Sequence, residues 1–123
     1  MTAQLFYPFL LLFLVPVATA GDDIGPYKPA TASYWMYGGG LGDPTTSKPN
    51  DKKIAFSVEG SAAKQIFDAI GPDKQDVCTE GSGIRFRSRD NENLSCTRSK
   101  EGAYECSFGF DLVTGKSIGG SIC

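Results

Sequence analysis

Four cysteines and no histidine constrain this 123-residue chain more than any other feature of its sequence. Cys78, Cys96, Cys106 and Cys123 form an even set confined to the C-terminal half. Such a set in a short chain is typical of an exported domain stabilised by two disulfides. Zinc bound by all four is disfavoured because the spacings of 18, 10 and 17 lack close pairs. Histidine is the commonest general base and metal ligand, so we expect no enzymatic activity, no metal and no cofactor.

The N-terminal segment predicts a signal peptide over residues 1–20. It contains no charged side chain, and its apolar run from Leu5 to Val17 is followed by Ala18-Thr19-Ala20, the small-x-small pattern that a signal peptidase accepts. The run is too short to cross a bilayer of about 30 Å and contains two prolines, which disfavours the alternative of a retained anchor. We therefore expect export to the periplasm or extracellular space, a mature chain beginning at Gly21, and no membrane insertion after cleavage.

Residues 21–52 predict a partly disordered leader, because ten of these 32 residues are Gly or Pro. An aromatic group nevertheless stands in the middle of the segment, formed by Tyr34, Trp35 and Tyr37. Three interpretations remain open for it. The aromatics fold back over the core as a strap, or they form an exposed recognition segment, since Trp and Tyr offer large contact areas at low entropic cost. The third interpretation is a flexible tail with no role.

Residues 53–123 predict a single α+β domain, beginning with a strand and a helix. Ile54, Phe56 and Val58 alternate with smaller or polar residues, as in a half-buried strand. Apolar residues then recur at helical spacing, with Ser61 as the expected N-cap and Gly71 as the expected left-handed residue at the C-terminus. The apolar stripe consists of Ala63, Ile66, Phe67 and Ile70.

Further strands are predicted around Ile84–Arg87, Leu94–Arg98 and Tyr104–Phe110, with a short strand or extended tail at the end of the chain. The fold class is therefore a small antiparallel β-sheet, in the order β-α-β-β-β, with one helix packed on one face. A hairpin loop around Glu101 places Cys96 opposite Cys106, which leaves Cys78 to pair with Cys123. The alternative pairing, 78 with 96 and 106 with 123, remains open.

A local cationic group consists of Arg85, Arg87 and Arg89. If Ile84 and Phe86 point inward, the side chains of the alternating arginines face solvent. One interpretation is an ordinary solvated strand face. The other is a binding surface formed by these arginines together with Tyr34, Trp35 and Tyr37, whose partner would be a protein or an anionic component of the cell envelope.

The predicted function is that of an exported, non-enzymatic binding or inhibitor-like module. The net charge of −2 gives no reason to expect a nucleic-acid partner. In size and layout the chain resembles small exported bacterial proteins of the periplasmic lysozyme-inhibitor type, although no defining motif is matched. The alternatives are a structural or stress-related envelope protein, and a secreted toxin or hydrolase that uses Glu80 or Glu92 as its base without a histidine.

Overall fold

The computed structural model describes residues 2–5, 8, 12–13 and 24–123. Most of the predicted signal peptide, and the expected cleavage point before Gly21, lie outside these residues. Among the residues described, no helix has the length and apolar character needed to cross a membrane.

Within the described residues, one antiparallel sheet of seven strands carries a single helix on one face, which confirms the predicted α+β class. After the first two strands the elements follow the expected order β-α-β-β-β. The sheet order is β2-β1-β3-β6-β5-β4, and β7 pairs with β6. The elements are β1 (Thr31–Gly40), β2 (Asp43–Thr45), β3 (Lys53–Glu59), α1 (Gly60–Ala69), β4 (Arg85–Arg89), β5 (Leu94–Arg98), β6 (Tyr104–Asp111) and β7 (Ser117–Ile118).

The sheet begins at Thr31, inside the segment predicted as a leader. β1 pairs with β3 from Thr31 opposite Glu59 to Tyr37 opposite Lys53, so the expected domain boundary at Lys53 separates two paired strands. Three glycines of this segment, Gly38, Gly39 and Gly40, form the end of β1 and pair with β2. A Cβ on Gly38 would lie 2.9 Å from the carbonyl oxygen of Thr46, so glycine permits a close backbone approach here.

Helix α1 packs its apolar stripe against the sheet, as the periodicity predicts. Ala63 and Phe67 are buried in the core cluster with Cys96 and Cys106. The predicted ends of the helix are wrong. Glu59 is the N-cap and makes no side-chain capping bond, so Ser61 lies within the helix, and the C-cap residue Ile70 has a φ of −99° and donates its N–H to Ile66 O.

Both predicted disulfides are present, between Cys96 and Cys106 and between Cys78 and Cys123. Cys96 and Cys106 are register partners on β5 and β6 and are buried beneath α1. The Cys78–Cys123 bond joins the long α1–β4 connection to the end of the chain, which lies 45 residues further along the sequence. The alternative pairing of the four cysteines is thereby excluded.

The α1–β4 connection passes around the outer edge of β4. Asp73 lies on the helix side, where it bonds Arg85 and Arg87. Lys74 then forms an isolated bridge with Phe86 along the strand edge, and its N–H donates to Phe86 O at 2.7 Å. The following residues reach the opposite side of the sheet, where Cys78 is tied to Cys123. The α1–β4 connection thus covers the outer edge of β4, which would otherwise be exposed.

Candidate functional site

The three arginines of β4 lie on the face of the sheet that carries the helix. Directly paired residues share a face, and Arg87 is paired with Cys96, which is buried under α1. Phe86 is buried, as expected, but on the face opposite the helix. Arg85 and Arg89 are exposed on the helix side, and Arg87 is half-buried there.

The arginines are engaged by partners within the chain. The Arg87 guanidinium lies 4.1 Å from the centre of the Phe67 ring and donates to Phe67 O and to Asp73 Oδ1, both at 2.7 Å. Arg85 donates to both carboxylate oxygens of Asp73, at 2.8 and 3.1 Å, and Arg89 donates to the carbonyl of Gly71. Hydrogen bonds from Arg85 and Arg87 lower the pKa of Asp73 to about 2. These cations therefore fasten the C-terminal end of α1 to the sheet.

The aromatic residues of β1 divide between the two faces because side chains alternate along a strand. Tyr34 projects on the helix face and is 70% exposed, whereas Trp35 projects on the opposite face and is 49% exposed. Tyr37 is buried and stacks on Trp35, with ring centroids 5.2 Å apart. Burial of the Tyr37 ring raises the pKa of its hydroxyl. The aromatics thus include one core residue and two exposed ones that do not share a surface.

The predicted aromatic and arginine residues do not come together in one site. Strands β3, β6 and β5 separate β1 from β4 in the sheet. Trp35 also faces away from the arginines, since it lies on the face opposite α1. We call that face, which carries Trp35 and Phe86, the helix-free face.

A cleft of about 250 Å³ opens on the helix-free face. Strands β4, β5 and β6 contribute its floor, and its walls come from the two segments that the Cys78–Cys123 disulfide holds together. None of the lining residues was predicted as a binding residue. They are Asp76, Cys78, Thr79, Phe86, Glu92, Ser95, Thr97, Glu105, Ser107, Ser121, Ile122 and Cys123.

A row of five serines crosses the helix-free face and enters this cleft. Each member is the direct register partner of the next, so neighbours repeat at the strand spacing of about 4.8 Å. In spatial order the row is Ser33, Ser57, Ser107, Ser95 and Ser88. The sequence shows that serines alternate with other residues in several strands. Only the register between the strands shows that these serines lie next to one another in a row.

The hydroxyls of this row have different partners. Ser57 donates to Glu105 Oε1 at 2.9 Å, Ser95 and Ser121 share a hydrogen bond of 3.3 Å, and Ser88 accepts from Lys74 Nζ at 3.3 Å. Ser107 is 8% exposed and lines the cleft. Its hydroxyl has no hydrogen-bond partner within residues 24–123. No side-chain nitrogen or oxygen among the described residues is both fully buried and without a hydrogen bond, so this hydroxyl is open to the cleft, where water or a ligand can bond it.

The cleft is rich in hydroxyls and carboxylates. Asp76, Glu92 and Glu105 contribute carboxylates, and no Lys or Arg is among the described residues that line it. It therefore favours neutral or cationic hydrogen-bond donors over anions. Asp76 also lies near the sulfurs of Cys78 and Cys123, but these are bonded to each other and offer no thiolate to a metal. Glu80, the other carboxylate considered as a base, is exposed and outside the cleft.

Comparison of the chain with protein-family models, with curated proteins and with solved structures finds no match.

Proposed function

We propose that this protein is an exported, non-enzymatic binding module whose ligand occupies the cleft of the helix-free face. The observation that carries the proposal is the construction of the cleft. A disulfide between residues 45 positions apart holds two irregular segments over a regular sheet. Rigid sheet residues lined by tethered loops are the usual architecture of a preorganised binding site.

Export is supported by the two disulfides, which form and persist in oxidising compartments. The test is to express the full chain from Met1, recover the protein outside the cytoplasm and sequence its N-terminus. We expect the sequence to begin at Gly21. Recovery only inside the cytoplasm, with reduced cysteines, would contradict export.

Binding in the cleft is tested by a pair of matched substitutions on one row of the sheet. Thr97 lines the cleft, whereas Thr31 lies at the far end of the same row on β1 and is exposed. Thr97→Trp should fill the cleft, and Thr31→Trp adds the same bulk outside it. Circular dichroism and urea unfolding establish that both variants fold.

The wild type and both variants are titrated by calorimetry with neutral oligosaccharides, acidic oligosaccharides, polyamines and calcium. We expect a ligand that binds the wild type and Thr31→Trp, is lost with Thr97→Trp, and is recovered chemically unchanged. Binding that survives Thr97→Trp, or no binding to any of these classes, would overturn the proposed site. Conversion of the ligand into product would show an enzyme instead of a binding module.

A further inference from the structure

We infer that the ligand of the cleft is a neutral saccharide, an inference that rests on the proposed binding function. The first observation is Ser107, a residue that is more than nine-tenths buried and lines the cleft, and whose hydroxyl is open to the cleft and has no partner among the described residues. A hydroxyl can donate and accept at once. A ligand rich in hydroxyl groups satisfies both capacities, whereas an apolar ligand would leave the serine unpaired.

The second observation is the kind of hydrogen-bonding group around Ser107. Ionised carboxylates only accept hydrogen bonds, and three of them line the cleft, with Glu105 in the row beside the serines. Sugar hydroxyls are donors for these carboxylates and acceptors for the serine and threonine hydroxyls. An acidic polymer would instead place its negative charges beside Asp76, Glu92 and Glu105, and none of the described residues that line the cleft is a cation that could offset them.

The third observation is an exposed aromatic ring on the same face. Trp35 projects beside the serine row, because its neighbour Ser33 two positions earlier begins that row. One strand, β3, separates it from β6, so the ring lies about 10 Å from the cleft floor in the direction across the strands. An indole presents an apolar ring with a polar N–H, suited to the C–H face and hydroxyls of a sugar. An oligosaccharide lying along the serine row would reach both features.

The arginines of β4 lie on the helix face, away from the cleft. Arg85 and Arg87 pair with Asp73 on the helix face, and Arg89 bonds Gly71 O there. They therefore contribute no cationic surface to the helix-free face. A neutral ligand on this face is consistent with that division of charge.

The experiment titrates the full-chain protein with neutral tetrasaccharides of glucose, mannose and N-acetylglucosamine, and with tetragalacturonate as the acidic counterpart. Trp35 is the only tryptophan, so its fluorescence reports directly on the helix-free face, and calorimetry gives the affinity. We expect at least one neutral tetrasaccharide to bind with a change in Trp35 emission, and tetragalacturonate to bind at least tenfold more weakly.

Single substitutions then test the residues named. Ser107→Ala should weaken saccharide binding about fivefold, the effect of one hydrogen bond, and Glu105→Gln about tenfold, because a charged acceptor is lost. Ser61→Ala, on the exposed surface of α1 on the opposite face of the sheet, is the matched control and should leave the affinity unchanged. Urea unfolding of each variant separates loss of binding from loss of folding.

The outcomes distinguish this inference from the function on which it rests. If no neutral saccharide binds, while another ligand is lost with Thr97→Trp and kept with Thr31→Trp, the saccharide inference is wrong and the binding module stands. If saccharide binding is unaffected by both Ser107→Ala and Glu105→Gln, the inference is also wrong. If no ligand of any class depends on Thr97, both fail together.

Discussion

Replacement of Asp73 by asparagine tests the ion-pair cluster that joins the end of α1 to β4. The Asp73 carboxylate accepts hydrogen bonds from Arg85 at 2.8 Å and from Arg87 at 2.7 Å. These bonds lower its pKa from the ordinary value of 3.8 to about 2. Asparagine has nearly the same size but no negative charge. We therefore expect Asp73→Asn to fold correctly and to be less stable than the wild type at neutral pH.

The size of the effect follows from the pKa and the exposure of the carboxylate. A fall from 3.8 to about 2 corresponds to about 2.4 kcal/mol, at about 1.4 kcal/mol for each pKa unit. The Asp73 side chain is 43% exposed, so solvent screening reduces the expected loss of unfolding free energy to about 1 kcal/mol. In a domain of about 100 residues, a loss of this size lowers the Tm by roughly 4–8 °C.

The pH dependence has a definite sign. The pKa of Asp73 is lower in the folded chain than in the unfolded chain, so protonation favours unfolding. The stabilising contribution is fully present above about pH 4 and is lost as the pH falls towards about 2. The difference in stability between the wild type and Asp73→Asn should therefore be about 1 kcal/mol at pH 6 and should shrink steadily below pH 4.

Urea unfolding at pH 6, 4 and 2.5, followed by Trp35 fluorescence, measures this difference. Asp68→Asn is the matched control, because Asp68 pairs with Lys64 at 2.7 Å on the exposed side of α1. An exposed pair four residues apart on a helix contributes little. A difference for Asp73→Asn that is equal at pH 6 and 2.5, or smaller than that for Asp68→Asn, would refute the assigned role.

Three further predictions concern the core, the disulfides and a strained turn. Phe67→Ala should lower the unfolding free energy by about 3–5 kcal/mol, because Phe67 is 1% exposed; a loss below about 1 kcal/mol in urea would contradict its core position. Replacing both Cys78 and Cys123 by serine opens a loop of 45 residues and should cost about 4 kcal/mol. The same double variant should lose ligand binding in calorimetry while it remains folded, since the disulfide holds the walls of the cleft. Glu92 has a φ of 66°, so Glu92→Gly should raise the urea midpoint and add about 1 kcal/mol of stability. Asn91→Gly is its control and should gain less, because asparagine tolerates this conformation; equal gains would contradict the explanation.

Local sequence pattern was sufficient to predict the helix, the strand β3 and the hairpin that carries Cys96 and Cys106. The helix follows from apolar residues at helical spacing, including Ala63 and Phe67, and the strand at Lys53–Glu59 follows from strict alternation. The Cys96–Cys106 pairing follows from the geometry of one short hairpin, in which the loop length sets the register. These features depend on neighbours close in sequence, so the sequence contains the information that determines them.

Composition was a poor guide to residues 21–52. Their ten Gly and Pro residues suggested a leader, yet Thr31–Gly40 is a strand whose partner, β3, lies more than ten residues further along the chain. β1 is a strand because its backbone pairs with β3 from Thr31 to Tyr37, and the Tyr37 side chain is buried there. That pairing depends on a distant segment, so it does not appear in a local count of strand-breaking residues.

The candidate site was only partly visible in the sequence. Trp35 was predicted to be a binding residue, which stays a prediction, and its side chain lies on the helix-free face. Ser107, Thr97 and Glu105 were missed, because serine, threonine and glutamate at outward strand positions are ordinary surface residues. They form part of a cleft only because the strand register places them together beneath two segments that a disulfide joins.

What the sequence by itself determined is the helix α1, the strands β3 to β6 and a preference for the cysteine pairing that the structure has, whereas the strands β1 and β2 were missed. It also determined that Phe86 and Arg87 lie on opposite faces of their strand, because side chains alternate. Which face receives the helix was decided only by the tertiary structure. Both faces of β4 are covered, one by α1 and the other by the segments that the Cys78–Cys123 disulfide holds in place. An apolar residue can be buried on either side of such a strand, and the guanidinium groups lie where Phe67, Asp73 and the end of the helix offer them partners.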